Sequence, residues 1–158
     1  MSGSDPSVAP DRMDDQEWIA RAEAIAASKG LQLTRLRREV LELVASARAP
    51  LSAYAVLDQL SKTQGKAVGP PTAYRALDFL VDHGFALKIA SRNAYARCDH
   101  LGHHHHGVLL ICTNCGSVQE REAPALDDEV RRLTVDAGFS ATRRTIEIEG
   151  LCGNCTPG

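Results

Sequence analysis

Two cysteine pairs, Cys112-x-x-Cys115 and Cys152-x-x-Cys155, carry the strongest chemical signal in the chain. Each spacing lets two thiolates turn onto one ion. Four thiolates complete a closed tetrahedral zinc site of the structural kind, with no open position for water. Such a site ties the turn at the first pair to the far end of the chain, and its binding energy is folding energy. The competing use of such a pair is a redox dithiol, which follows a strand in a thioredoxin-like βαβ unit. That pattern is absent here. The fifth cysteine, Cys98, stands apart. An odd count, and no apolar leader in Met1 to Pro10, argue against a secreted disulfide framework.

All six histidines (His83, His100 and His103 to His106) fall within 24 residues, just ahead of the first pair. Cys98, this cluster and Glu120 form a second candidate metal site, because imidazole and thiolate suit zinc and a carboxylate can complete the set. In an extended run, alternate residues share a side, so His103 with His105, or His104 with His106, can act together. The blander alternative is a solvated histidine-rich loop that binds metals loosely. Cys98, at the end of a strand beside the cluster, favours a specific site.

A third feature is Pro70-Pro71-Thr72-Ala73-Tyr74-Arg75. With Ala73, Leu77 and Leu80 facing a core, Thr72 and Arg75 face outward and Tyr74 lies at the N-terminal edge of a helix. Arginine can take a guanine bidentately, and a helix N-terminus favours phosphate. Tyr54, early in the preceding helix, can touch a phosphate or a base. The alternative pairs Arg75 with Asp78 on a solvated face. Asp78 and Asp82 would repel phosphate further along, which leaves base contact to the first turn. Charge agrees: residues 1–17 carry one basic and five acidic side chains, 18–97 twelve and six, and 98–158 five and nine. A basic middle between acidic ends suits double-stranded DNA.

The elements that must position these residues follow from periodicity. The chain has 158 residues, 44% hydrophobic and 24% charged, an ordinary globular composition with room for two small domains. No apolar run approaches the roughly 20 residues of a membrane helix, so no membrane partner is expected. Residues 1–15 read as a disordered acidic arm. Residues 16–91 read as a winged helix-turn-helix. Its first helix starts near Gln16 and stops at Gly30, Thr34 and Ser52 cap two more, and a fourth opens at Pro70 and ends at Gly84. Two strands follow, Phe85 to Ala90 and Ala94 to Cys98, around a Ser91-Arg92-Asn93 turn. Residues 92–158 read as a hinge and a small α/β domain. It holds strands at Val108 to Cys112, Ser117 to Glu120 and Thr142 to Glu149, with a helix marked by Leu126, Val130, Leu133 and Ala137. Each half is near or below 80 residues, a size at which metals or oligomerisation usually make up a deficit in core.

Taken together, these motifs resemble the ferric uptake regulator superfamily, most closely its zinc uptake regulator branch. The resemblance rests on Leu33-Thr34-x-x-Arg37-x-x-Val40-Leu41, on Pro71-Thr72-x-Tyr74-Arg75-x-Leu77, on the histidine-rich segment leading into Cys112-x-x-Cys115-Gly116, and on Gly150-Leu151-Cys152-x-x-Cys155. It covers roughly residues 18–155. It implies an α+β chain in which a winged helix binds palindromic operators and a C-terminal α/β domain forms a homodimer. It also implies two zinc ions per chain, one structural in the four cysteines and one regulatory at the hinge. The regulatory ligands correspond to Cys98, a cluster histidine best aligned with His105, and Glu120. A further family ligand, from the first wing strand, falls near Leu87, which cannot bind metal. His83 or His103 is the candidate replacement. Glu149 stands near the strand that often supplies an optional third site.

The function implied is a cytoplasmic, zinc-responsive repressor of zinc-uptake genes. Cys98 favours zinc over iron, because thiolate is soft. An iron or peroxide sensor of the same superfamily is the nearest rival. A zinc-ribbon interaction module with an unrelated helical domain is the second. An enzyme is not expected, nor a small organic substrate. The deaminase signature is missing, and a four-cysteine site lacks the open position that catalysis needs.

Overall fold

The computed structural model describes residues 12–103 and 107–157. Four helices come first: α1 (Asp15–Ser28), α2 (Arg35–Ser46), α3 (Ala53–Gln64) and α4 (Pro70–Asp82). Side chains start three of them. Asp14 accepts the backbone N–H groups of Gln16 and Glu17, Thr34 that of Arg37, and Ser52 that of Ala55. These acceptors satisfy amides that a helix leaves unpaired in its first turn. Gly84 ends α4 at φ +75°, and a Cβ there would lie 2.5 Å from the carbonyl oxygen of His103. Glycine is required at that corner because the histidine loop packs directly on it.

The helices enclose one core around Trp18, Val40, Leu41, Leu60, Leu77 and Leu80. A wing closes it. Strands β2 (Ala86–Ile89) and β3 (Ala94–Arg97) pair antiparallel, and β1 (Leu51–Ser52) adds to the other edge of β3. The two-residue β1 was not expected from the sequence. Because β2 and β3 pair over four positions, the first sheet continues past residue 91 to Arg97. The turn between them is a 3-10 turn over Ala90–Arg92 that ends on Asn93 at φ 44°.

A second sheet follows, in the order β5-β4-β6. Strands β4 (Val108–Cys112) and β5 (Val118–Arg121) form a hairpin. Helix α5 (Pro124–Asp136) then carries the chain back, so that β6 (Ile146–Gly150) lies parallel to β4. The strand expected over Thr142 to Glu149 begins only at Ile146. Its partner starts at Val108, directly opposite Ile146, so residues 142–145 have no strand to pair with. Arg144 instead meets Asp127 of α5.

The two sheets face each other. Leu87, Ile89 and Cys98 of the wing pack against Leu109 and Ile111 of β4. The opposite side is bare: α5 has no buried residue, and Leu133 and Phe139 are 65% and 66% exposed.

Residues 12–15, counted in the expected disordered arm, are instead anchored. Arg12 donates to the carbonyls of Ala45 and Ala47, and Asp15 pairs with Arg48 and with the buried Arg97. These contacts hold residues 12–15 against the helical core. Residues 1–11 lie outside the described part.

One buried polar group has no partner among the described residues, the hydroxyl of Tyr95. An unpaired buried hydroxyl opposes folding by about 1–3 kcal/mol. Tyr95→Phe is therefore expected to leave thermal stability unchanged or slightly raised. A loss of more than about 1 kcal/mol would show that the hydroxyl is paired in solution.

Candidate metal centre

The hairpin turn between β4 and β5 carries Cys112 and Cys115, and the chain beyond β6 carries Cys152 and Cys155. Parallel pairing sets Cys112 opposite Gly150, two residues before Cys152. Backbone bonds finish the alignment. Thr113 N–H donates to the Gly150 carbonyl at 2.8 Å, Gly116 N–H to that of Cys112 and Cys155 N–H to that of Cys152. All four sulfurs lie within 4.8 Å of one another. Cys115 Sγ and Cys152 Sγ are 3.8 Å apart. A zinc–thiolate bond of about 2.3 Å implies tetrahedral edges of about 3.8 Å. The cluster therefore has the size and the donor set of a structural zinc site.

Hydrogen bonding and the crowding of sulfurs act in opposite directions within the cluster. Backbone N–H groups of Cys115 and Cys152 pull the Cys112 thiol down to about 6. Asn114 favours the Cys155 thiolate by hydrogen bonding, but the neighbouring sulfurs, Cys152 first, outweigh it and push that thiol up to about 11. A divalent ion removes this conflict by neutralising the thiolates together.

The residues of the hinge candidate occupy the seam between the sheets. Cys98 follows β3 and is fully buried. Its N–H donates to the Phe85 carbonyl at 3.1 Å, and its carbonyl accepts Trp18 Nε1–H at 2.7 Å. Burial, and then the Glu120 carboxylate, push its thiol well above the ordinary range, while the His100 N–H favours the thiolate. Glu120 projects from β5 with a side chain only 10% exposed. Leu87 packs in the apolar cluster beside Cys98, where no ligand atom is available.

The candidate histidines lie in different places. His83 follows α4 and packs against Phe79 with the rings tilted 57° and their centroids 4.5 Å apart. His103 is exposed, and its backbone rests on Gly84. His105, with His104 and His106, lies outside the described residues. His100, the first histidine of the cluster, places Nδ1 3.8 Å from Glu120 Oε2. The available signal was its spacing, two residues after Cys98. Among the described residues, the four cysteines are the one group of three or more side chains whose ligand atoms all converge.

The nucleic-acid candidates lie on α3 and α4. Thr72 and Arg75 are exposed on the first turns of α4, and Tyr54 is 80% exposed on α3. Arg75 forms no ion pair with Asp78 or with any other described residue. Tyr74 is half-buried, and its hydroxyl accepts from Asn93 Nδ2 at 3.2 Å, which joins α4 to the wing turn. The N-terminus of α4 offers few amides. Pro70 and Pro71 have none, and those of Thr72 and Ala73 already donate to the Gly69 carbonyl.

A family model described as the ferric uptake regulator family matches residues 28–149. The chain belongs to the ferric uptake regulator family. A zinc uptake regulation protein of Escherichia coli (strain K12) is 41% identical over 142 residues, covering 89% of this chain and 82% of that protein. A solved structure of a zinc uptake regulator complexed with zinc and DNA superposes with a TM-score of 0.80 at 39% identity, over 89% of this chain and 93% of the other. The superposition spans most of both chains, so the two share the α+β architecture seen here. The holo form of XcZur superposes at 0.78 with 36% identity, over 87% of this chain and 96% of that one. Its apo form reaches only 0.53 at 37% identity, over 90% and 97%. Identity is nearly the same for the two forms, so the difference is one of conformation.

Cys112→Ser is expected to lose one bound zinc per chain and to melt roughly 10 °C lower or more, using about 2–4 °C per kcal/mol for a chain of this size. Affinity at the four cysteines should fall as pH falls, because each thiolate must take back its proton. A variant that keeps its zinc and melts like the parent would contradict the structural assignment.

Proposed function

We propose that this chain is a zinc-responsive transcriptional repressor that binds palindromic operators of zinc-uptake genes as a zinc-loaded homodimer. The observation that carries the reading is the seam. A buried thiol at the end of the wing lies close to a nearly buried carboxylate on the second sheet, with a histidine beside them. These donors suit zinc. Zinc, when bound, supplies a cross-link between the two halves. Cys98 holds the wing end of that link, Glu120 the second-sheet end, and a histidine of the 100–106 segment completes it, with His83 and His103 as further candidates.

We infer two ions per chain, the other held by Cys112, Cys115, Cys152 and Cys155. Several observations support the metal-loaded arrangement. The conformation is nearer the holo than the apo form of XcZur. The packing of Leu87 and Ile89 on Leu109 and Ile111 is the apolar contact that a closed state needs. The fully open side of α5, with Leu133, Val135 and Phe139 exposed, is a surface for a second copy of the chain.

DNA recognition falls to the first turns of α4. Thr72 and Arg75 reach outward, Tyr54 flanks them, and Tyr74 fixes the wing turn through Asn93. The DNA-binding unit then ends with β3 at Arg97, and the dimerisation unit begins at β4. No described helix is long and apolar enough to cross a membrane. A cytoplasmic location and the lack of an enzymatic role follow from this reading.

Capture of host genomic fragments tests it. Zinc-dependent recovery of a few palindromic sites is expected, while recovery independent of zinc, or with iron alone, would contradict it. Cys98→Ser should fold and keep its four-cysteine zinc but bind operator no better with zinc than without. Arg75→Ala should melt like the parent and weaken operator binding by about 1–3 kcal/mol, roughly 5- to 150-fold. An Arg75→Ala protein with unchanged affinity would remove α4 from the interface.

A further inference from the structure

Glu147 is not accounted for by either metal site. It lies on β6 beside Leu109, on the face that looks toward the wing. One carboxylate oxygen accepts the N–H of Ala90 at 2.6 Å and the other accepts the N–H of Ser91 at 3.1 Å. The Ser91 side chain adds a further hydrogen bond. These amides open the turn that joins β2 to β3, and no side chain from within the turn satisfies them. A carboxylate from 56 and 57 residues away in sequence takes that role. Burial works against the charged form, but the bonds from Ser91 and Ala90, with Arg92 nearby, outweigh it and hold the carboxyl below its ordinary value.

Neighbouring pairs point the same way. Glu149, two positions further along β6, faces Arg92 at 3.7 Å, and Arg143 meets Asp82 of α4 at 3.7 Å. Both are exposed and contribute little alone. The Glu147 contact differs because two charge-assisted bonds converge on consecutive amides, which fixes position as well as distance. The other end of β6 is tied down. Thr113 bonds to the Gly150 carbonyl, and Cys152 follows two residues later. A continuous strand therefore runs from the four-cysteine cluster to the wing tip.

We propose that Glu147 is a positioning residue that clamps the wing tip to the second sheet, so that the wing and α4 meet DNA at an angle set by β6 and its cysteine anchor. The hinge ligands grip the base of the wing, and Glu147 grips its tip. Two separated grips resist rotation about the seam, which a single one does not. The proposal rests on the DNA-binding reading above.

The test uses the full-length, zinc-loaded protein with Glu147→Ala and Glu147→Gln. Amide hydrogen exchange is followed by NMR without DNA, and operator affinity is measured separately. Glu147→Ala should speed exchange at Ala90 and Ser91 by about tenfold or more, with the paired β3 amides and the bound zinc unchanged. Operator affinity should fall by about tenfold, within the usual range of coupling between sites. Glu147→Gln keeps the shape without the charge and should show a smaller loss in both. It also serves if the alanine variant fails to fold. Unchanged exchange at Ala90 and Ser91 in either folded variant would overturn the clamp. Faster exchange with full operator affinity would overturn the positioning role. If the parent itself binds no DNA with zinc, the functional reading fails and takes the positioning role with it, while the exchange result still decides the contact.

Discussion

The second half of the chain depends on the convergence of four sulfurs. Its helix has no fully buried residue, and one face of its sheet packs against the wing. A three-stranded sheet of 4–5 residues per strand has little apolar area to hide. What fixes β6 next to β4 is the parallel ladder and the cysteine cluster at its end. Parallel pairing across a long crossover is entropically costly, and a metal cross-link at the closing point offsets that cost. The same strand then delivers Glu147 to the wing.

The first half needs no such help. Its core is closed by four helices and the wing, and ion pairs hold its N-terminal edge. The division of labour is physical: a well-cored helical head, and a weakly cored platform closed at the four-cysteine cluster. A platform of that kind makes a good switch, because its packing against the head is thin. Five buried side chains form the seam. Opening such a contact costs only a few kcal/mol, at about 25 cal/mol per Å² of apolar surface. On the reading proposed above, zinc bound at the seam shifts the balance between open and closed states. Trp18, the one tryptophan, bonds to the carbonyl of Cys98 and so links the helical core directly to that seam.

Much of this was legible in the sequence. The stripe of α2, the caps at Thr34 and Ser52 and the prolines opening α4 are local signals, and they placed the helices within a residue or two. The paired cysteines spoke for themselves because their spacing encodes geometry. What the sequence concealed was long-range. Strand β1 is two residues long and exists only because β3 lies beside it. The strand expected from Thr142 starts late because β4 is short, which no local pattern reveals. Arg97 is a charged residue on a strand, yet it is buried among Asp15, Asp99 and the Met13 carbonyl. Glu147 reads as the exposed half of an alternating strand, and its partners are the amides of a turn far away. Alternation reports which face a residue is on. It does not report what will cover that face.

We propose that a second zinc ion, bound at the seam, turns on DNA binding in a protein already held together by the first. A titration tests it most directly. Metal-free protein is refolded with one equivalent of zinc per chain, and further zinc is added while the anisotropy of a labelled operator fragment is followed. A folded protein with little operator affinity is expected at one equivalent, and a rise to saturation as the second is bound. Full operator binding at the first equivalent, or none at any zinc level, would contradict it.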